Sequence, residues 1–274
     1  MDKTTLIGLV MGIAAVLGGA MLDGTSIQSL VNLPAFLIVI GGTTGATALS
    51  YPLEQMLNLP RLFRQALFDK SESPGALVET FVRFATMARK EGVLSLEKDA
   101  EQIPDPFLRK GIQLAVDGTD ETVIRQVLTA DIEAMSERHQ IGYSLFETMG
   151  GFAPTLGIMG AVLGLIHVLS QVADPSKLAA GIAVAFVATL YGVGSANLIF
   201  FPVGNKLRMK SEEEMRMRHL IVQGVLAIQA GENPRILRDR LEVFLSPSAR
   251  GKAAQAQSSQ VAAAEPAAAT GTGG

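Results

Sequence analysis

The sequence has no cysteine, no tryptophan and only three histidines among 274 residues. A chain without cysteine forms neither a disulfide framework nor a thiolate metal site. The histidines, His139, His167 and His219, are too few and too scattered for a histidine-rich metal centre. A phosphate-binding glycine motif and a serine–histidine–aspartate pattern are also absent, and a formal net charge of −3 indicates no nucleic-acid partner. We therefore expect neither an enzyme nor a protein that holds a cofactor or metal.

Charge is missing from four long stretches of the chain. No Asp, Glu, Lys or Arg occurs in residues 4–22, 33–51, 148–173 or 178–204. About 20 apolar residues are enough to cross a bilayer as a helix. The sequence therefore predicts four membrane-spanning helices at these positions, the last one ending at about residue 203.

The first of these stretches has a second interpretation, because a short apolar run near an N-terminus is also typical of a signal peptide. The residues before it carry only Lys3 beside Asp2, and a second apolar stretch follows almost at once. These two features favour a first membrane helix that stays in the protein.

The charged residues lie between and after the apolar stretches, and their pattern predicts helices. Within residues 53–146, apolar side chains such as Leu77 and Phe81 recur at helical spacing, and no alternating strand pattern occurs. Residues 205–250 are expected to continue the fourth stretch as a charged helix, whereas 251–274 have the small, polar composition of a disordered segment. The predicted fold is an all-α polytopic membrane protein with two membrane helices in 1–52, a helical cytoplasmic domain in 53–146, two membrane helices in 147–204, a helical cytoplasmic tail in 205–250 and a disordered end in 251–274.

The distribution of basic residues predicts the orientation of the chain in the membrane. Residues 53–146 contain 11 Lys and Arg, and residues 205–274 contain 10, out of 23 in the whole chain. The two other links, 23–32 and 174–177, contain only Lys177. Because basic residues concentrate on the cytoplasmic side, we expect the large loop, the tail and both termini of this membrane protein in the cytoplasm.

The third and fourth apolar stretches are predicted to form an antiparallel helix pair, since only residues 174–177 separate them. The pair is rich in glycine and contains Pro154 and Pro202, which favours close packing and bending. No carboxylate lies inside it, although a transporter that works alone usually carries one within the membrane. An ion path here would therefore need an acid from a partner helix. The polar residues of the four stretches that could line such a path are Thr43, Thr44, Thr47, Thr155, His167, Ser170, Gln171, Thr189, Tyr191, Ser195 and Asn197.

Five short strings of the sequence are distinctive: Val39–Thr43 (VIGGT), Ala88–Glu97 (ARKEGVLSLE), Gly151–Gly160 (GFAPTLGIMG), Ala188–Gly192 (ATLYG) and Glu232–Arg235 (ENPR). They resemble those of one known family, the MotA/PomA subunits of the bacterial flagellar stator. The resemblance runs from the first apolar stretch to about Leu245 and includes the order of short link, large loop, short link and tail.

The resemblance implies both an assembly and a function. It implies a ring of A subunits, five in number, around two copies of a single-span MotB-type subunit that carries the ion-binding Asp. Ion passage would turn the ring and drive the rotor. By similarity, Arg89 and Glu97 engage the rotor protein FliG, Pro154 and Pro202 couple ion binding to helix movement, and Thr189 faces the ion site.

One position departs from the pattern of the sodium-driven members of that family. They carry a second threonine where this sequence has Ala161. A sodium ion gains from each additional oxygen ligand, so Ala161 favours protons as the translocated ion over sodium.

Three alternatives remain. The related ExbB/TolQ class uses the same kind of partner acid to energise outer-membrane processes, but it typically has three spans in a different order. A membrane scaffold that conducts no ions is the second alternative. A transporter that works alone is the third, and the missing carboxylate speaks against it.

Overall fold

The computed structural model describes residues 3–68, 74–170 and 175–245, together with residue 247. Within this part of the chain, all regular secondary structure is helical, and four helices are long and apolar enough to cross a membrane. The predicted all-α membrane fold is thereby confirmed. The predicted disordered end, 251–274, lies outside the described residues.

The first two spans are α1 and a composite second helix. α1 is Lys3–Leu22, and the second helix consists of α2 (Leu33–Phe36), a π-helical turn (Leu37–Gly41) and α3 (Gly42–Ser50). Asn32 begins α2 by accepting a hydrogen bond at its side-chain oxygen from the N–H of Ala35, at 2.9 Å.

A series of shorter helices follows the second span. These are α4 (Leu53–Leu57), α5 (Leu59–Leu67), α6 (Pro74–Glu91), a 3₁₀ turn (Val93–Leu96), α7 (Glu97–Glu101) and α8 (Pro106–Val116). Asp105 caps α8, because its carboxylate accepts from the N–H groups of Phe107 and Leu108 at 2.7 and 3.1 Å.

The third and fourth spans are parts of much longer helices. α9 is Glu121–Leu169, and α10 is Pro175–Ser195. A π-helical turn, Ala196–Phe200, joins α10 to α11 (Phe201–Gln229), and α12 (Pro234–Glu242) ends the described helices. At 1.5 Å per residue, the 49 residues of α9 exceed the roughly 30 Å hydrocarbon core about twofold. Only part of α9 can therefore be in the membrane.

The described residues divide into two compact units. Unit 1 contains residues 3–68, 136–170 and 175–211, and unit 2 contains residues 74–135 and 212–245 together with residue 247. This division differs from the expected one, in which 53–146 is one domain and 205–250 is a separate tail. The sequence pattern shows which face of a helix is apolar but not which helix it meets.

The core of unit 2 shows why the tail belongs with the loop. Phe81 and Phe84 of α6 are buried in one cluster with Leu220, Val225 and Ile228 of α11. Gly224 makes this contact possible, since a Cβ there would lie 2.5 Å from the ring of Phe81. The loop and the tail thus complete a single hydrophobic core.

Candidate functional site

The backbones of α9 and α10 approach each other at Gly157 and Gly192. A Cβ added at Gly192 would lie 2.5 Å from the carbonyl oxygen of Ala153 and 2.9 Å from the Cα of Gly157. A Cβ added at Gly157 would lie 3.0 Å from the carbonyl oxygen of Ala188. The two backbones are therefore in direct contact, with no room for a side chain at either glycine.

The same close packing continues along α9 towards its C-terminal end. A Cβ at Gly160 would lie 2.9 Å from the Cβ of Ala188, and one at Gly164 would lie 3.1 Å from the Cβ of Ala185. Small residues allow membrane helices to approach closely and to gain dispersion energy along the seam. The glycines of the pair are thus explained in large part by packing within one chain.

Pro154 lies inside α9, close to this crossing. Because proline has no N–H, it cannot donate the usual helical hydrogen bond to the carbonyl of Gly150. The residue before it, Ala153, places its carbonyl oxygen against Gly192 of α10. A change in the bend of α9 at Pro154 would therefore act directly on the α10 backbone.

Pro202 follows a change in helical hydrogen-bonding register. Ala196–Phe200 form a π-helical turn, and Pro202 is the second residue of α11. Such turns within longer helices are frequent at functional sites. The ring of Phe201 lies 2.7 Å from the position that a Cβ on Gly150 would take. Phe201, the residue before Pro202, thus contacts the turn of α9 that precedes Pro154.

Thr189 and Ala161 lie on facing helices near the same crossing. The Cα of Thr189 is 3.3 Å from the Cβ position of Gly157, and its side chain is half-buried. Ala161 is also half-buried and directly follows Gly160, which packs on Ala188. Thr189 thus lies at the crossing itself, and Ala161 is next to it along α9.

Threonines of the second span lie buried beside this pair. Thr43 and Thr47 have no exposed surface, and the hydroxyl of Thr47 donates to the carbonyl of Thr43 at 2.7 Å. The hydroxyl of Thr43 has no hydrogen-bond partner among the described residues. The neighbouring Gly42 packs on Leu156 of α9, with its Cβ position 3.3 Å from that side chain. Two of the predicted polar residues therefore lie between helices and not towards lipid.

Tyr191 has a specific role in the structure that its sequence pattern does not show. Its hydroxyl donates to the carbonyl of Leu30 at 2.5 Å and accepts from the N–H of Asn32 at 3.1 Å. These two backbone groups belong to the link between the first two spans. Tyr191 therefore fastens that link to α10, two residues from Thr189.

An ion pair joins α9 to α11 near the charged end of the two membrane helices. Arg208 of α11 binds the carboxylate of Glu147 of α9, and its guanidinium lies 5.0 Å from the ring centroid of Tyr143. Gly204 of α11 packs on this part of α9, with its Cβ position 3.4 Å from the Cγ of Glu147. Among the described residues, no group of three or more His, Asp or Glu side chains could hold a metal ion.

Arg89 and Glu97 lie apart from this site, at the corner between α6 and α7 in unit 2. Arg89 is in the last turn of α6, and Glu97 is the first residue of α7. Gly92 turns the chain between them with a φ of 86°, in the left-handed region that favours glycine. Both side chains are exposed, and neither forms an ion pair with another described residue. They are free to meet a partner.

Comparison with known protein families covers most of the chain in two parts. Residues 6–92 match the family model described as Motility protein A N-terminal. Residues 99–219 match the model described as the MotA/TolQ/ExbB proton channel family. The first match contains the first two spans, and the second contains the crossing of α9 and α10.

Individual relatives align over nearly their whole lengths. Motility protein A of Bacillus subtilis (strain 168) is 39% identical over 257 residues, which are 93% of this chain and 95% of that protein. The chemotaxis protein PomA of Vibrio alginolyticus is 38% identical over 250 residues, which are 91% of this chain and 98% of that protein.

Solved structures show the same similarity. The flagellar MotAB stator complex from Bacillus subtilis contains a chain that superposes with a TM-score of 0.86 at 38% sequence identity. The superposition covers 91% of this chain and 99% of that one. A chain of C. jejuni MotAB superposes with the same TM-score at 28% identity. From its sequence and its fold, this chain belongs to the Motility protein A branch of the MotA/TolQ/ExbB proton channel family.

Proposed function

We propose that the chain is the A subunit of a bacterial flagellar stator, which forms an ion channel with a MotB-type subunit and converts ion-motive force into torque. The chain matches a proton channel family, yet neither apolar stretch of its closely packed helix pair, 148–173 or 178–203, contains a carboxylate, and this observation carries the proposal. Hydroxyl and amide groups do not ionise near neutral pH and so cannot hold an exchangeable charge. The titrating acid therefore comes from another chain.

The partner is a single-span subunit with an Asp in its membrane helix. The solved relatives are MotAB structures, one of them a flagellar stator complex, which supports such an assembly. Five copies of this chain around two of the partner is the arrangement that we propose. Each elementary charge that moves through 100 mV releases about 2.3 kcal/mol, so several ions are needed for each turn of the ring.

The coupling step that we propose acts through Pro154 and Pro202. The missing N–H of Pro154 weakens α9 where its backbone contacts Gly192, and the π-turn weakens the helix before Pro202. A change of charge on the partner's Asp, close to Thr189, would shift the balance between two bends of this pair. The bend would then reach unit 2 through α9 and α11, since each of these helices contributes residues to both units.

The ion is a proton in this proposal. Thr189 supplies one hydroxyl near the crossing, and the facing helix carries Ala161, which has no oxygen to offer. Sodium binding depends on the number of oxygen ligands, whereas proton transfer needs only a titrating acid. Swimming speed at a constant proton-motive force should not change with sodium concentration, and a proportional change would contradict the choice of ion.

The rotor contact in this proposal is made by Arg89 and Glu97 to the rotor protein FliG. Exposed charges contribute weakly, and salt screens them. Weak contacts suit an interaction that must form and break repeatedly as the rotor passes. The concentration of basic residues in 53–146 and 205–274 supports a position of unit 2 and both termini on the cytoplasmic side of the inner membrane.

The test is complementation of bacteria that lack their own stator. Co-expression of the chain with a MotB-type subunit should restore swimming, and Pro154→Ala should reduce rotation while the protein stays in the membrane. Pro106→Ala is the matched control, because Pro106 is the first residue of α8 and removes no helical hydrogen bond. No restoration of swimming with any MotB-type partner would contradict the proposal, as would equal effects of the two proline variants.

A further inference from the structure

α4 and α5 form a short segment directly after the second membrane span. α3 ends at Ser50, α4 is Leu53–Leu57, and α5 is Leu59–Leu67. Neither helix is long enough to cross a bilayer. The segment therefore lies where the span leaves the membrane.

The leucines of α4 are exposed although they follow an apolar span. Leu53 and Leu57 are each 72% exposed. They are four residues apart and thus lie on one face of the helix. Exposed apolar side chains at the end of a span are typical of a helix that lies in the membrane interface, with that face among the acyl chains.

α5 separates apolar and basic residues onto opposite faces. Leu62, Phe63 and Ala66 pack into the core of unit 1, whereas Arg61 and Arg64 are exposed. The two arginines are three residues apart and share a face. Among the described residues, neither forms an ion pair. Two guanidinium groups therefore remain available to an external anion.

The C-terminal end of α5 is held and neutralised by a residue of α11. The ammonium group of Lys210 donates to the carbonyls of Gln65 and Phe68 at 3.0 and 2.7 Å. The carbonyl end of a helix carries partial negative charge, which would repel an anionic group. The positive charge of Lys210 offsets this repulsion of an anion. Arg64 lies beside it, with its guanidinium 5.7 Å from the ring centroid of Phe68.

The segment contains little opposing charge. Glu54 is the single acidic residue in positions 53–68, and it lies in the first turn of α4. We propose that α4 and α5 bind an anionic phospholipid, with its acyl chain against Leu53 and Leu57 and its phosphate between Arg61 and Arg64. Guanidinium groups are suited to phosphate because their planar donors match its oxygens. This site is separate from the ion path and does not depend on it.

The test is lipid retention by the purified full-length chain. The protein is exchanged into mixed micelles of phosphatidylglycerol and phosphatidylcholine, and the lipids that remain bound are counted by native mass spectrometry. Phosphatidylglycerol should be retained in preference to phosphatidylcholine. Each basic residue near an anionic surface contributes about 1 kcal/mol, or about fivefold. The variant with Arg61→Gln and Arg64→Gln should therefore lose about 25-fold in relative retention.

Two variants and one change of condition sharpen the test. Arg125→Gln with Arg235→Gln removes the same charge from unit 2 and should retain lipid like the wild type. Arg61→Lys with Arg64→Lys keeps the charge and should lose less than the glutamine variant. For the wild type, the preference should fall when salt shortens the Debye length from about 10 Å to about 3 Å.

Three results would overturn the proposal. The first is equal retention of the two lipids by the wild type. The second is unchanged retention of phosphatidylglycerol by the variant with glutamine at both positions. The third is an equal loss in the unit 2 control, which would show that the net charge of the chain, and not α5, attracts the lipid.

Discussion

Glycine is used in two different ways in the two units. In unit 1, Gly192 of α10 meets backbone atoms, the carbonyl of Ala153 and the Cα of Gly157. In unit 2, Gly224 of α11 meets a side chain, the buried ring of Phe81. At Gly192 the membrane pair is thus packed backbone against backbone, whereas at Gly224 the core of unit 2 fits a side chain into the space that the glycine leaves.

The difference follows from the solvent around each unit. In water, burial of large apolar side chains drives folding, so a glycine is useful where it makes room for a phenylalanine. In lipid that driving force between helices is lost, and association depends on dispersion contacts that small residues permit. A clash at Gly224 can therefore be relieved by resizing a side chain, whereas a clash at Gly192 requires α9 and α10 to separate.

The largest effect that we expect is from Gly192→Ala. The new Cβ would lie 2.5 Å from the carbonyl oxygen of Ala153, so α10 must move away from α9 beside Pro154. Overpacking of a side-chain core typically costs about 1–3 kcal/mol, and a backbone clash should fall at or above the upper end. Torque should be abolished, as measured by swimming, and the thermal midpoint of the purified chain should fall.

Gly194→Ala is the matched control on the same helix. A Cβ at Gly194 meets nothing within 4 Å, so this variant should keep the stability of the wild-type chain. If both alanine variants were equally stable, the direct backbone contact at Gly192 would not be the feature that holds the pair together.

The next effect in size is expected from Gly224→Ala in unit 2. Its Cβ would lie 2.5 Å from the ring of Phe81, and the thermal midpoint should fall in line with a loss of about 1–3 kcal/mol. Phe81→Leu, introduced together with it, should restore part of that loss because the smaller side chain leaves space. No such rescue should occur for Gly192→Ala. A failure to rescue Gly224→Ala would remove the distinction between the two units.

Much of the fold could be predicted from the sequence because charge and lipid are incompatible. The absence of charge in residues 148–173 marks the third span, which lies within α9. The grouping of α6 with α11 could not be predicted, since the periodicity of Leu77 and Phe81 shows an apolar face and leaves its partner open. Long-range pairing of helices depends on shape, and Gly224 carries no pattern that would reveal it.

The sequence indicated candidate residues for the site, but it did not indicate how they are arranged. Pro154, Pro202 and Thr189 stand out in an apolar sequence, and the structure places Thr189 near the proline of α9. The contact between Phe201 and Gly150 and the π-turn before Pro202 have no sequence signal, because both depend on the hydrogen-bonding register. The link that Tyr191 fastens was likewise invisible. A tyrosine hydroxyl can find a backbone partner at any distance along the chain.

Reversal of charge at Arg89 and Glu97 should act on torque alone. Both side chains are exposed, so the variant with Arg89→Glu and Glu97→Lys should assemble in the membrane and fold with a change of at most about 1 kcal/mol. Swimming should be impaired because the sign of each rotor contact is inverted. Loss of the membrane complex would show instead that these residues have a structural role.

An exposed ion pair in α9 gives a matched control for that variant. Arg125 binds Glu121 at 2.8 Å, and both side chains are about half exposed. The variant with Arg125→Glu and Glu121→Lys inverts the same number of charges on the same unit, and swimming should remain normal. If it impaired swimming equally, the corner of α6 and α7 would not be a specific contact surface.

The smallest effect that we expect is on the stability of the start of α9. This end of the helix lies in unit 2 and is stabilised by polar groups, not by glycine contacts. Asp120 accepts hydrogen bonds from the hydroxyl and the N–H of Thr122, and these bonds hold the pKa of its carboxyl below the ordinary value. Because folding lowers this pKa, the ionised carboxylate of Asp120 stabilises the folded chain when the pH is above the pKa that Asp120 has in the unfolded chain. This stabilisation is lost as the pH falls through the lower pKa that Asp120 has in the folded chain. Asp120→Asn keeps a capping side chain without a titrating group. The difference in thermal midpoint between wild type and variant should therefore shrink as pH falls from neutral to below about 3.9. A difference that stays constant over this range would show that the charge of Asp120 does not stabilise α9. It would also show that the polar and the apolar half of α9 do not differ in the kind of interaction that stabilises them.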